Sequence, residues 1–105
     1  MSESKQQWTP GPWSYDRGII PPDGPGRYST VSADGDVVVA EINDLIPEGI
    51  ANAKLIAAAP ELVEAAKIGL QYIEAVCFNT PNPKKRANYA DAASKIRAAL
   101  AKAGA

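Results

Sequence analysis

The sequence predicts an α+β protein in which a small antiparallel sheet precedes a pair of helices. Three observations predict this class. Most glycines and prolines lie before residue 45, whereas seventeen of the nineteen alanines lie after it. An Asp-Gly turn sits between two β-prone runs in the first half, and apolar residues recur at helical spacing in the second. We expect one domain over residues 1–105, with a β-rich part at 1–45 and a helical part at 47–105.

The segment YSTVSADGDVVVAEI predicts a β-hairpin with a two-residue type I′ turn at Asp34-Gly35. Such a turn pairs Ala33 with Asp36, and Val31 with Val38. This register predicts a core face of Val31, Val38, Ala40 and Ile42, and an opposite face of Tyr28, Thr30, Val37 and Val39. WSYDR, at 13–17, predicts a third strand, and GIIPPDGPG predicts a long connection broken by prolines.

The helical part is expected to begin near Pro47-Glu48, since proline and an acidic residue suit a first turn. The helical pattern that follows includes Leu55 and Leu62 on its apolar face and continues to Phe78. Pro60 interrupts this pattern, because an interior proline removes a hydrogen bond and clashes with the preceding turn. The sequence therefore predicts either a short helix ending near Ala58 and a new helix after it, or one kinked helix.

A second long helix is predicted near the C-terminus. It begins either at Asn82-Pro83, as N-cap and first position, or at Asn88, and Gly104 ends it. The two long helices should form an antiparallel hairpin with small residues at their contact. A short sheet with free edges and shallow helical stripes covers little apolar surface, so we expect a homo-oligomer.

The composition argues against an enzyme. The chain has no histidine and only one cysteine, Cys77, which removes the Ser-His-Asp triad, the usual zinc sites and internal disulfides. We expect neither a cofactor nor a metal. The polar start MSESKQQ predicts no signal peptide, and no apolar run is long enough to span a membrane. We therefore expect a cytoplasmic protein.

The net charge of −1 is unevenly distributed, with −6 over residues 1–83 and +5 over 84–105. The basic end is too small for a duplex-DNA site, but it can attract a phosphate. The candidate phosphate ligands are Lys84, Lys85, Arg86 and Arg97, with Tyr89 to stack on a base. The simpler interpretation is a solvated loop at 84–86 before a helix that starts at Asn88, with Tyr89 in the core.

The stretch WTPGPW holds both tryptophans, Trp8 and Trp13, around a stiff Pro-Gly-Pro. They form either a lid over a thin core or a stacking platform for a ligand, and the lid is the favoured interpretation. Asn52 and Lys54, at the head of the first helix, could contact a ligand, or could be a local cap and a surface side chain.

Four segments together resemble a group of small bacteriophage and prophage proteins: WTPGPW, DGDVVVAEI, NAKLIAAAPELVEA and IRAALAKAGA. The resemblance implies a phage-encoded accessory protein in the bacterial cytoplasm. GIIPPDGPG and NTPNPKKR match no motif of that group. The order of sheet and helix pair is also similar to that of phage anti-Thoeris sponges, which sequester a cyclic nucleotide immune signal; this similarity is one of architecture only.

These observations lead to two hypotheses. The first is a non-enzymatic counter-defence protein that sequesters a phosphate-bearing nucleotide, linear or cyclic, between its subunits. The second is an inhibitor or adaptor that binds a host protein through its acidic strand half or its exposed apolar sheet.

Overall fold

The computed structural model describes residues 8–19 and 28–105. Three strands precede three helices: β1 (Ser14–Ile19), β2 (Tyr28–Ala33), β3 (Val37–Asn43), α1 (Gly49–Ala57), α2 (Ala59–Phe78) and α3 (Pro83–Lys102). The α+β class, with the sheet in the N-terminal half, is therefore confirmed. Most of the predicted proline-broken connection falls outside the described residues.

The chain divides into two compact units. The sheet unit is Thr9–Glu61, and the helical unit is Leu62–Ala105 together with Trp8. The sheet unit carries eight acidic and three basic residues, whereas Leu62–Ala105 carries three acidic and seven basic residues. The prediction of a single domain stays a prediction.

The strands form one antiparallel sheet in the order β1-β2-β3, so that β1 and β3 lie at its edges. The third strand predicted at WSYDR is present as β1, displaced by one to two residues. The helix α1 packs against all three strands.

The predicted register of the hairpin is wrong in two places. Its turn has three residues, Asp34–Asp36, so that Ala33 pairs with Val37 rather than with Asp36. The residues at positive φ are Gly35 (77°) and Asp36 (59°), one position later than predicted. A bulge then shifts the ladder by one more residue, and Val31 pairs with Ala40.

The three-residue turn and the bulge together shift the pairing by two residues. The residues of β3 after the bulge therefore lie on the faces that were predicted for them. Ala40 and Ile42 pair with Val31 and Ser29, and they lie on the core face as predicted. Val38 precedes the bulge and pairs with Ser32, so the prediction that it belongs to the core is wrong: it is 51% exposed.

The core of the sheet unit lies between the sheet and α1. Val31, Ile42, Ala53 and Ala57 are buried there, and Trp13, Tyr15, Val39, Ala40 and Ile56 pack against them. Gly49 permits a close approach at the start of α1, because a Cβ at this position would lie 2.6 Å from the Asn43 carbonyl oxygen. The buried side chains that α1 contributes to this core are alanines, so the core contains little apolar volume.

The helix breaks next to Pro60, as the first of the two alternatives predicted. α1 ends at Ala57, Ala58 lies between the two helices, and Pro60 occupies the second position of α2. Pro47 and Glu48 precede α1 instead of forming its first turn.

The helix α3 begins at Pro83 and is capped by Asn82, so the alternative start at Asn88 is wrong. Gly104, at φ 75°, ends the helix as predicted. Its N–H donates to the Ala101 carbonyl, and the Ala105 N–H donates to the Leu100 carbonyl, which is the Schellman pattern. α2 and α3 form the predicted helical hairpin, joined by residues 79–82.

Candidate functional site

Lys84, Lys85 and Arg86 lie in the first turn of α3, and all three are exposed. The loop that the simpler interpretation placed here is absent. Asn82 Oδ1 accepts hydrogen bonds from the backbone N–H groups of Lys84 (3.0 Å) and Lys85 (3.1 Å). Pro83 has no N–H, and the Asn82 cap already occupies the N–H groups of Lys84 and Lys85. An anion at this helix terminus would therefore bind through side chains rather than through backbone N–H groups.

A groove between α2 and α3 brings two of the predicted ligand residues together. It has a volume of about 250 Å³, and it is lined by Glu74, Cys77, Phe78, Arg86, Ala90, Ala93 and Arg97. Ala90 and Ala93 are among the lining residues, and the small-residue contact between the two helices stays a prediction. The groove is open to solvent along its length and lies entirely within the helical unit.

The charge of the groove is partly cancelled. Arg97 Nη1 donates to Glu74 Oε2 at 2.6 Å, and both side chains are about half exposed. The thiol of Cys77 donates weakly to the Arg86 carbonyl at 3.5 Å. Sequence reasoning missed Glu74, because its partner lies 23 residues away and no local spacing connects them.

Tyr89 lies on the same helix and is partly buried. The tryptophans do not join this group. Trp13 packs against the core of the sheet unit and donates from Nε1 to the Thr9 carbonyl, which is the role of a lid. Trp13 therefore covers the face of the sheet that packs against α1, and not the opposite face of the sheet. Trp8 belongs to the helical unit, where its Cδ1 lies 4.0 Å from the position of a Cβ on Gly104.

Asn52 and Lys54 are exposed on α1 in the sheet unit. The predicted ligand residues are therefore divided between the two units. Of the predicted ligand residues, the groove of the helical unit brings together Arg86 and Arg97, whereas Lys84, Lys85 and Tyr89 lie on α3 outside its lining.

A second candidate surface lies on the sheet unit. β3 is an edge strand with exposed apolar residues at both ends: Val37 (49%) and Val38 (51%) at its start, and Leu45 (69%) and Ile46 (42%) just after it. Acidic residues lie beside these pairs at Asp34, Asp36, Glu41, Asp44 and Glu48. We call these four apolar and five acidic residues the β3 surface.

Two further observations, on metal sites and on membrane-spanning helices, apply only to the described ranges. Within them, no cluster of three or more histidine, cysteine or carboxylate side chains has the arrangement of a metal site. None of the helices there combines the length and the apolar character that crossing a membrane requires.

The comparisons with known proteins yield one match. The family model described as Salmonella phage P22 protein Y8K6 matches residues 1–105. No curated protein and no solved structure matches the chain significantly.

Proposed function

The chain belongs to the family of Salmonella phage P22 protein Y8K6, and on that premise we propose a non-enzymatic bacteriophage counter-defence protein that binds a host protein in the bacterial cytoplasm. The observation that supports this mode of action is the β3 surface. It combines a sheet edge, exposed valine and leucine side chains, and a surplus of negative charge.

The chemistry of the β3 surface specifies the kind of partner. Exposed large apolar side chains near a strand edge can pack against another protein, and the backbone of an edge strand can pair with an added strand. The bulge near Val39 disrupts the ladder, so pairing would involve the regular part of β3 from Ala40 to Asn43. The sheet unit carries a net charge of −5, which favours a partner with a basic surface.

The test compares two variants in which exposed apolar residues are replaced by serine. Val38 and Leu45 are replaced together by serine in one variant, and Leu55 alone is replaced in the control. Leu55 is 64% exposed on α1 of the same unit, outside the β3 surface. Tagged proteins are incubated with Salmonella lysate, and stoichiometric partners are identified by mass spectrometry.

We expect the unmodified protein and the Leu55→Ser control to retain one stoichiometric partner, and the double variant to lose it. Retention should weaken as salt rises, since charge complementarity is screened. Equal retention by the double variant, or the absence of any stoichiometric partner, would refute the proposal.

A second candidate function is the sequestration of a phosphate-bearing nucleotide, linear or cyclic. The observation that favours it is the groove of the helical unit, where Arg86 and Arg97 line one cavity near Lys84 and Lys85. The resemblance to the anti-Thoeris sponges, which rests only on the order of sheet and helix pair, leads to the same proposal. It ranks second because Glu74 pairs with Arg97 and Asn82 occupies the helix N-terminus.

Native mass spectrometry with cyclic nucleotides and cyclic ADP-ribose isomers tests this candidate. Glu74→Gln should increase ligand adducts, because it frees Arg97 and removes a negative charge from the groove. Replacing Lys84, Lys85 and Arg86 by alanine should abolish them, whereas Lys102→Ala, a cation at the far end of α3, should not. Absence of adducts from the unmodified protein and from Glu74→Gln would exclude the groove as a nucleotide site.

A further inference from the structure

One side of α2 is apolar and exposed over most of its length. None of the 20 residues of α2 is buried. At 100° per residue, Leu62, Ala65, Ile68, Gly69, Tyr72 and Val76 share one side, which we call the α2 stripe. Leu62 is 52%, Ile68 48%, Tyr72 70% and Val76 46% exposed. Glu64, Lys67 and Glu74 point away from this side, and Glu61, in the first turn just before Leu62, is the one charged residue of α2 on it.

We infer that the α2 stripe binds a second copy of this chain, with the two α2 helices antiparallel about a two-fold axis near Gly69. This dimer contact is independent of the proposed function, because the α2 stripe belongs to the helical unit and the β3 surface to the sheet unit.

Gly69 supports a close approach of another helix. A Cβ at this position would meet no other described residue within 4 Å, so packing within the described ranges gives no reason for glycine. Glycine in the middle of a helix is unfavourable relative to alanine. A second copy of α2 that crosses at Gly69 would explain the glycine, because the absence of a side chain lets the two helix backbones approach closely.

The sizes of the side chains match in the antiparallel arrangement. With the axis near Gly69, residues equally far before and after it face each other. Val76, seven residues after Gly69, then lies opposite Leu62, seven residues before it. Tyr72, the largest side chain of the α2 stripe, lies three residues after Gly69, within one residue of the level of Ala65, four residues before it. A large side chain facing a small one is the pattern by which packed helices interdigitate.

The charges at the two ends of α2 also select the antiparallel arrangement. Glu61 and Glu64 lie near its N-terminal end, whereas Lys84, Lys85 and Arg86 follow its C-terminal end after a short connection. In the described ranges none of these three cations forms an ion pair. Parallel helices would bring the cations of both copies together, but antiparallel helices place them at the acidic end of the partner.

The extent of the contact indicates its strength. The α2 stripe runs about 21 Å from Leu62 to Val76, at about 1.5 Å per residue. One helix face of this length buries less than the roughly 800 Å² per partner of a standard stable interface. We therefore expect a dimer that dissociates on dilution.

Sedimentation velocity across a concentration series tests the contact. The unmodified protein should shift from monomer to dimer, and Tyr72→Glu should raise the dissociation constant at least about tenfold by placing a charge in the apolar contact. Gln71→Glu is the matched control, because it adds the same charge to the neighbouring exposed position outside the α2 stripe. Unchanged circular dichroism verifies that each variant is folded.

Cysteine cross-linking in a Cys77→Ser background tests the orientation. Leu62→Cys and Val76→Cys should each remain uncross-linked alone and should form a disulfide dimer when mixed. Parallel helices would instead cross-link each variant with itself.

Three results would overturn the inference. They are a monomer at the highest soluble concentration, an equal effect of Gln71→Glu and Tyr72→Glu, and self-cross-linking of the single variants. A monomer whose host partner is lost in Tyr72→Glu would assign the α2 stripe to that partner instead. Loss of host capture in the β3 surface variant, with dimerisation intact, separates this test from that of the proposed function.

Discussion

Replacing Asn82 by alanine should remove the cap of α3. Pro83 has no N–H, and the Arg86 N–H already donates to the Asn82 carbonyl at 2.9 Å. The N–H groups of Lys84 and Lys85 are thus the two that lack a backbone partner in this turn, and Asn82 Oδ1 accepts both. Loss of an Asn cap costs about 1–2 kcal/mol, because the helix terminus keeps water as its only partner.

The matched control is Asn88→Ala. Asn88 lies in the helix interior and is exposed, so alanine there should raise the free energy of unfolding by up to about 0.5 kcal/mol through helix propensity. Asn82→Asp should preserve stability, since a carboxylate accepts the same two hydrogen bonds and faces the cations of the first turn.

Two measurements decide the outcome. Urea unfolding followed by far-UV circular dichroism reports the free energy of unfolding. Hydrogen exchange of the peptide covering α3 reports the same loss locally, as an increase in exchange rate of about 5- to 30-fold in Asn82→Ala. A stable Asn82→Ala variant together with a destabilised Asn88→Ala variant would show that α3 begins at Asn88 and would refute the reasoning.

Substitutions at three positions of the sheet unit have defined outcomes in urea unfolding. Ser29→Ala should stabilise by about 1 kcal/mol, because Ser29 Oγ is buried without a hydrogen-bond partner among the described residues; a loss of stability would reveal a partner for the hydroxyl. Gly49→Ala should destabilise by about 1–3 kcal/mol, since its Cβ would clash with the backbone of Asn43 and Asp44; a neutral result would mean that α1 can shift. Gly35→Ala should cost about 1–2 kcal/mol at φ 77° in open space, and Gly35→Asn should cost less. Equal costs for alanine and asparagine would contradict a purely conformational cause.

The order of elements was predictable from the sequence, because it depends on periodicity and on strong local signals. The Gly104 stop follows from one residue's backbone chemistry, whereas the Asn82-Pro83 start and the break near Pro60 each had an alternative that the sequence left open. The strand register was not predictable. Asp34-Gly35 and Gly35-Asp36 both tolerate positive φ, and the bulge that follows has no residue signature.

The environment of the candidate site was only partly predictable. The cations of α3 were identifiable from composition, but the pairing of Arg97 with Glu74 depends on how two helices meet. Leu55 and Leu62 fit the predicted apolar face and are nevertheless exposed, at 64% and 52%. α2 is apolar on two sides, and helical periodicity alone does not say which side packs within the chain.

The turn and the bulge of the hairpin have a consequence for fibril formation. Val37, Val38, Val39 and Ala40 form an uncharged run of high β-propensity in an edge strand, the kind of segment that stacks into cross-β fibrils. The run is only four residues long, and Asp36 and Glu41 flank it with negative charges that repel each other in a stack. The bulge also interrupts its regular pairing. Asp36 therefore serves twice, as a turn residue at positive φ and as a charge that keeps neighbouring copies of this edge apart.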